Sequence, residues 1–446
     1  MFSKPFDEIT IEDIKDLIFN RKERESHHLE YKEAIGNSDR DKKEFLKDVS
    51  GFANASGGYL ILGVEEKDGA PNKICGVNKN IGNQKIDEWI NNVLISNLDE
   101  KVQFEIKVLD LNQRSVVVVL YIPESPKKPH MVTFQSKNTY YIRHNTSVNP
   151  ATQSEVKEMF EYSKKNKEQF EEFLRTRRLF DEKEDWFGYN ENVDKLFNNI
   201  TEEIKGLKKP FILYSFIPRY LDENRINTIA QDFIDWMNNH SRGFEPAPHV
   251  RLFETYQKKV NLYGVVFPKI LPREGQEEMW WDYFEVLNNG FFESGVSRDV
   301  FSSYGRKEES YKPVLNLTRT VGYAWILLNF AQRFYRKIGY YDEAIFQISV
   351  VNVKGFTLGG FGKKNEKIKW TEPFDFFYEY ENPPHCTHDK FKIIEKFLVS
   401  ELSEAFVKDI VLDLSTKISR AFGETVVKCF DDEGNFNNEG ISYFRR

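Results

Sequence analysis

Within the stretch ESHHLEYKEAIG, residues 25 to 36, two glutamates, two histidines and a lysine fall inside eight residues. Carboxylates hold hard divalent cations, and an ammonium beside them neutralises a nearby phosphate or positions an attacking group. If residues 27–33 are extended, His28, Glu30 and Lys32 share one face and His27, Leu29 and Tyr31 the other, with Leu29 and Tyr31 packing inward. One carboxylate is too few for Mg²⁺ or Mn²⁺, so oxygens from separate elements must converge. Glu25 precedes Glu30 by five residues, an odd offset that a straight strand sends to the opposite face. The two serve one site only if the chain bends between them. A third acid, Glu65 or Glu66, stands where GYLILGVEE emerges, provided that strand pairs with the Glu30 strand. The competing reading of the same residues is a solvated charged face.

The elements that must position these groups follow from periodicity. Thr10-Ile-Glu-Asp13 reads as a helix start, with Ile11, Ile14, Leu17 and Ile18 as its apolar stripe. Residues 27–33 form a strand, and Asp41 to Ala55 a helix with Phe45, Val49 and Phe52 inward, stopped by Ser56-Gly57-Gly58. Gly58 opens a buried central strand whose acidic end reaches solvent. Ile86 to Leu98 is an amphipathic helix, KVQFEIKVLDL and RSVVVVLYI form a hairpin, HMVTF and NTYYIRHN a further strand pair, and Ala151 begins a helix. The class is α+β with a mixed, largely antiparallel sheet, ending near residue 165.

Residues 166–204 open in charge-dense, helix-prone sequence that suits a connector, and 205–446 read as a second α+β domain. There, PFILYSFIP, KKVNLYGVVF, WWDYFEVLNNGFFESG and AIFQISVVNV are strands, and helix patterns cover about 226–239, 314–338 and 390–422. Trp280, Trp281, Tyr283 and Phe284 read as strand core, and Phe330, Phe334 and Tyr335 as a helix stripe. His385-Cys386-Thr387-His388 lacks a second ligand pair for zinc and is taken as a loop.

The chain has 446 residues, enough for two ordinary domains, and its 38 Phe and 21 Tyr exclude a disordered chain. A net charge of −7 argues against coating nucleic acid by bulk attraction, although screening over roughly 8 Å permits a local basic groove. Three scattered cysteines exclude a disulfide framework and fit a reducing, cytoplasmic location. Apolar runs are far shorter than the ~18 residues of a membrane span, so no membrane partner is expected.

ESHHLEYKEA, the later GFANASGGYLILGVEE and NTYYIRHNTSVNPATQSEV, in that order, together resemble the Schlafen AlbA-like domain over roughly residues 8 to 165. The resemblance implies a nucleic-acid-binding domain, in some members an endoribonuclease acting on tRNA or rRNA. It implies divalent metal held by Glu25, Glu30 and the acid at Glu65 or Glu66, with Lys32 offsetting phosphate charge. This chain departs from the pattern in having glutamate where nuclease members carry aspartate, a shorter first loop, and one copy of a lobe that those members have twice. A homodimer would supply the second copy. Substrate contacts are expected from Lys43, Lys47, Lys127, Lys128, Lys137 and Arg143, with RNA favoured and DNA open. A bacterial defence or stress effector with a C-terminal sensor suits this layout by analogy. The alternative is a non-catalytic, DNA-binding regulator whose second domain binds a ligand or partner.

Overall fold

The computed structural model describes residues 2, 6–177, 210–222, 224–255, 258–260, 262–270, 281–296, 300–304, 312–359, 384–424, 429–430 and 435–436. The chain divides into two compact units, Met1–Glu171 and Glu172–Arg446.

The first unit opens with α1 (Ile11–Lys15), where the backbone N–H of Thr10 donates to Asp13 Oδ2 at 2.7 Å, and continues into a π-helical turn over Asp16–Asn20. Then follow β1 (Leu29–Lys32), α2 (Asp39–Asn54), β2 (Gly58–Leu62), β3 (Val64–Lys67), β4 (Ala70–Ile74) and β5 (Val77–Asn78). A minimal hairpin, β6 (Asn80–Ile81) and β7 (Gln84–Lys85), leads to α3 (Ile86–Asn97). After it come β8 (Glu105–Asp110), β9 (Ser115–Ile122), β10 (Met131–Phe134), β11 (Lys137–His144), β12 (Ser147–Pro150) and the long α4 (Gln153–Arg177). The expected connector at 166–204 begins on α4 and lies outside the described residues from 178 on.

The main sheet runs β1-β2-β9-β5, with β8 also paired to β9. Its β9 is apolar on both faces because both faces are covered. Val116, Val118, Leu120 and Ile122 pack with α2 and α3, while Val117 and Val119 pack with Leu17, Ile18, Leu29 and Tyr31. Leu29 and Tyr31 therefore do face a core, and Glu30 falls on the α2 side. A second sheet, β10-β11-β12, is tied to α2 by Asn54. The Asn54 side-chain amide donates to the carbonyls of His130 (2.9 Å) and Tyr141 (2.8 Å), and its oxygen accepts from the His130 N–H (2.7 Å).

The second unit is built on a seven-stranded antiparallel sheet. Its strands in chain order are β13 (Phe211–Pro218), β14 (Lys259–Val260), β15 (Gly264–Ile270), β16 (Trp281–Leu287), β17 (Phe292–Val296), β20 (Glu343–Val351) and β22 (Lys390–Leu398). The spatial order is β14-β15-β16-β17-β13-β20-β22. Between β17 and β20 the chain forms β18 (Phe301–Tyr304) and β19 (Lys312–Asn316), and β21 (Thr357–Gly359) joins these in a separate small sheet. Three helices, α5 (Gln231–Asn239), α6 (Leu317–Lys337) and α7 (Glu404–Ala421), contribute residues to its large core. Phe216 stacks between Phe292 and Phe346, each at 4.4 Å, and Phe284, Phe330 and Phe334 extend the cluster.

The α+β class and largely antiparallel pairing hold in both units; among the described residues only β1–β2 and β19–β21 run parallel. Three expected helices shift. The first starts at Gln231, and residues 314–316 belong to β19 rather than to α6. The pattern over 390–422 splits into β22 and α7. Trp280 lies outside the described residues, Tyr283 and Phe284 are buried strand residues, and Cys386 is buried in a loop. No helix among the described residues is long and apolar enough to cross a membrane.

Candidate nucleic-acid site

The bend that Glu25 requires is present in two parts. Lys22 takes a left-handed conformation (φ 48°) as the π-helical turn ends, with the N–H of Glu23 donating to Leu17 O at 3.0 Å. The chain is then pinned to the β3–β4 turn, where the N–H of Glu25 donates to Gly69 O at 2.9 Å and Arg24 Nη2 to Asp68 O at 2.5 Å. Ser26 and Leu29 next close a tight turn through reciprocal backbone bonds of 3.0 and 3.3 Å, with His27 and His28 at its tip. This reversal brings Glu25 back beside β1 but not onto the α2-facing side that Glu30 occupies. Glu25 Oε1 accepts the N–H of Tyr31 at 3.1 Å, so the Glu25 side chain lies along the outer edge of β1.

Glu30 points to the other side of β1, toward α2, and is 6% exposed. Its Oε1 is 2.6 Å from Lys32 Nζ and its Oε2 is 2.9 Å from Arg143 Nη2. Lys32 also lies 3.4 Å from Oδ2 of Asp48, a buried acid on α2. Arg143 on β11 is 1% exposed, donates to the carbonyls of Ser26 (2.8 Å) and Leu29 (3.1 Å), and lies over the Phe52 ring at 4.5 Å. Burial outweighs the attraction of Lys32 and pushes the Asp48 carboxyl up to about 6. Burial alone would lower Lys32, but Asp48 and Glu30 more than offset it and hold the ammonium above its ordinary range.

The third acid is set by a close backbone approach and a bulge. Gly63, at φ 93°, lies so near Gly76 that a Cβ on it would stand 2.8 Å from Gly76 Cα. Both Cys75 and Gly76 donate to its carbonyl, at 2.8 and 2.9 Å. From this corner β3 leaves the sheet, and its register slips between Glu65 and Glu66, with Glu65 opposite Lys73 and Glu66 opposite Pro71. Glu66 accepts the N–H of Gly69 at 2.6 Å, on the same turn that holds Glu25. Glu25 is raised above the ordinary carboxylate range by burial and by the negative charges of Glu30 and Glu66, against the Tyr31 N–H and Lys32. The Gly69 turn thus binds both the Glu25 backbone and the Glu66 side chain, while Glu30 faces α2.

The donor chemistry suits a hard divalent ion, but the acids do not form a finished cage. Glu30 is engaged on both oxygens by cations, and among the described residues no group of three His, Cys, Asp or Glu side chains is arranged to hold a metal ion.

The expected phosphate contacts differ in exposure and pairing. Lys43 on α2 and Lys137 at the start of β11 are exposed, while Lys47 is paired with Glu44 at 3.2 Å. Lys127 is half-buried. Lys128 is turned to Glu124 (2.6 Å), the Ala55 carbonyl (3.4 Å) and the Tyr162 ring (4.2 Å). Arg143 is corrected outright: a wholly buried guanidinium holding Glu30 and two carbonyls is a structural strut that no phosphate reaches. Asn54 braces α2 against the second sheet, and Gly57 closes α2 at φ 69°. Sequence reasoning missed Asp48. Its signal was position: three residues after Phe45, it sits on the inward stripe of an otherwise apolar helix face.

Residues 25–152 match the family model described as Schlafen, AlbA_2, so the resemblance carried by the three motifs is borne out over this N-terminal stretch. No curated protein matches the chain. Among solved structures, the DIP2311 protein from Corynebacterium diphtheriae is 20% identical with a TM-score of 0.23, over 31% of this chain and 24% of that one. The N-terminal domain of a DNA helicase RecG-related protein from Nitrosomonas europaea is 22% identical with a TM-score of 0.20, over 26% of this chain and 74% of that one. The chain thus spans about a quarter of the Corynebacterium protein's length.

Proposed function

We propose that the N-terminal unit cuts RNA, tRNA or another structured RNA by preference, as a phosphodiesterase dependent on Mg²⁺ or Mn²⁺. The observation that carries this reading is the Gly69 turn, which holds the Glu25 N–H and the Glu66 carboxylate together, with the charge of Glu30 also felt at Glu25. Like charges on one turn favour a shared cation, and carboxylate oxygens select hard ions. When bound, such an ion supplies Lewis acidity at a phosphate oxygen and an activated water. Glu25 and Glu66, with Glu30, would hold it. Lys32 would offset charge that develops on the phosphate. The preference for RNA, the homodimer that completes the groove, and a C-terminal sensor rest on family resemblance.

The test incubates the full-length protein with tRNA and with single- and double-stranded DNA, with Mn²⁺ or with chelator. Mn²⁺-dependent RNA fragments that disappear in Glu25→Gln support the enzyme. Binding without fragments in any condition favours a second reading, a non-catalytic nucleic-acid-binding regulator. That reading draws on one observation: Glu30 held by Lys32 and Arg143 is what a purely structural ion cluster looks like.

A further inference from the structure

β8 is the far edge of the main sheet. Among the described residues it pairs with β9 alone, in a register that runs unbroken from Glu105 opposite Tyr121 to Asp110 opposite Val116. The strand contains no proline, and no bulge turns it away from a neighbour. Such an edge is a template for a further strand. Alternation divides its side chains between two faces. Phe104 and Ile106 pack half-buried against the core that α2 and α3 share, and Val108, of the same parity, is 40% exposed. Glu105 and Lys107 fall on the opposite face, with Leu109.

We infer that β8 is a self-pairing edge, on which a second copy of this chain docks its own β8 antiparallel, about a two-fold axis centred on Ile106. An axis normal to the sheet keeps every side chain on its own face, so it passes through a residue position and not between two. Three registers lie in the middle of the strand. Centred on Lys107, the pairing sets that ammonium against its own copy. Centred on Val108, it sets Ile106 against an aspartate and Lys107 against a leucine. Centred on Ile106, it sets Glu105 opposite the partner's Lys107, and Lys107 opposite the partner's Glu105. On the other face Ile106 then meets its own copy, and Val108 is covered by the partner's Phe104.

Of the three, the register on Ile106 alone matches charge on one face and apolar surface on the other. Opposite charges directly across a strand pair stabilise it, and like charges destabilise it. Lysine on an edge ordinarily discourages pairing, and here it discourages any strand without an acid in the matching place. A second copy carries that acid. At the opposite edge, side chains of Glu25 and Arg143 take up backbone groups of β1, so extension of the sheet falls to β8. The inference gives the homodimer of the reading above a surface, but it stands whether or not the protein cuts RNA or binds a metal.

The experiment measures dimerisation of the full-length chain by sedimentation equilibrium over a range of concentrations. It compares wild type, Glu105→Lys, Lys107→Glu, the double reversal, and an equal mixture of the two single variants. Wild type is expected to dimerise. Each single variant should raise the dissociation constant about tenfold or more, because both symmetric pairs become like-charged. The double reversal and the mixture should return toward the wild-type value, since acid again faces base in each. The mixture decides, because it restores contacts between chains and none within a chain. A wild type that stays monomeric overturns the inference, as do single variants that dimerise as well as wild type, or a mixture no tighter than its components. Circular dichroism checks that the single variants fold. If either does not, Val108→Lys replaces it, with a weaker dimer expected and an unchanged one overturning the inference. Cleavage is not read, so none of these results bears on the metal-dependent reading.

Discussion

Arg143 Nη2 lies 2.9 Å from Glu30 Oε2, and water reaches almost none of either side chain. The pair joins β11 of the second sheet to β1 of the first, so it binds the two sheets together as well as orienting the acid. Removing one partner strands the other. Arg143→Met is expected to destabilise the first unit by about 3–5 kcal/mol, read from the urea transition of the full-length protein, with Arg143→Lys intermediate because it keeps the charge and loses the fork. A loss below about 1 kcal/mol would contradict this strut role.

Glu65 and Glu66 are adjacent, but only Glu66 shares the turn with Glu25. In the cleavage assay Glu25→Gln and Glu66→Gln are expected to cost about two orders of magnitude each, and Glu65→Gln less than about threefold. The reverse ranking of Glu65 and Glu66 would show that the bulge does not select the third acid.

His130 is wholly buried, and its acceptance of the Ser125 hydroxyl (2.6 Å) and donation to Glu100 O (3.1 Å) suit the neutral ring. Burial lowers its pKa from 6.5 to about 4. The unfolded chain then binds the extra proton first as pH falls, so stability drops between about pH 6.5 and 4, by about 3 kcal/mol in total. Asp48, raised to about 6, works in the opposite direction, since its folded form binds the proton first. Urea titrations of wild type and His130→Gln between pH 7 and 4 should show the shallower acid slope in the variant.

Two glycines separate strain from clash. Gly63 and Gly82 both have positive φ, but a Cβ at Gly63 meets the Gly76 backbone at 2.8 Å, whereas at Gly82 the nearest atom is 4.0 Å away. Gly82→Ala should cost about 1 kcal/mol, the backbone strain alone. Gly63→Ala should cost more than about 2 kcal/mol and also lower any activity, because it displaces the corner from which Glu66 is aimed. Matching thermal midpoints for the two variants would rule out the close approach as a determinant.

Much of the first unit was legible because its strands and helices have clear periods, and alternation alone placed Leu29 and Tyr31 in the core. What failed was the treatment of charge. In NTYYIRHN, Tyr141 and Arg143 have the same parity, and both prove buried, so alternation pointed inward while the arginine side chain suggested the surface. Asp48 repeats the lesson on a helix. In the second unit, the buried Ile393 and Phe397 are four residues apart, a spacing that a strand and a helix satisfy equally, and the stretch read as helix is β22. The gathering of Glu25 with Glu66 depends on a turn, a bulge and a glycine contact, none of which has a period to detect.

The outer rim of β1 is closed by side chains. Glu25 takes the Tyr31 N–H, and Arg143 fills the Leu29 carbonyl, where a neighbouring strand would otherwise dock. A substitution such as Glu25→Ala, which removes the acceptor, therefore bares an unsatisfied donor on a sheet edge, and its cost extends to colloidal behaviour: concentrated solutions of that variant should scatter more light than the parent protein.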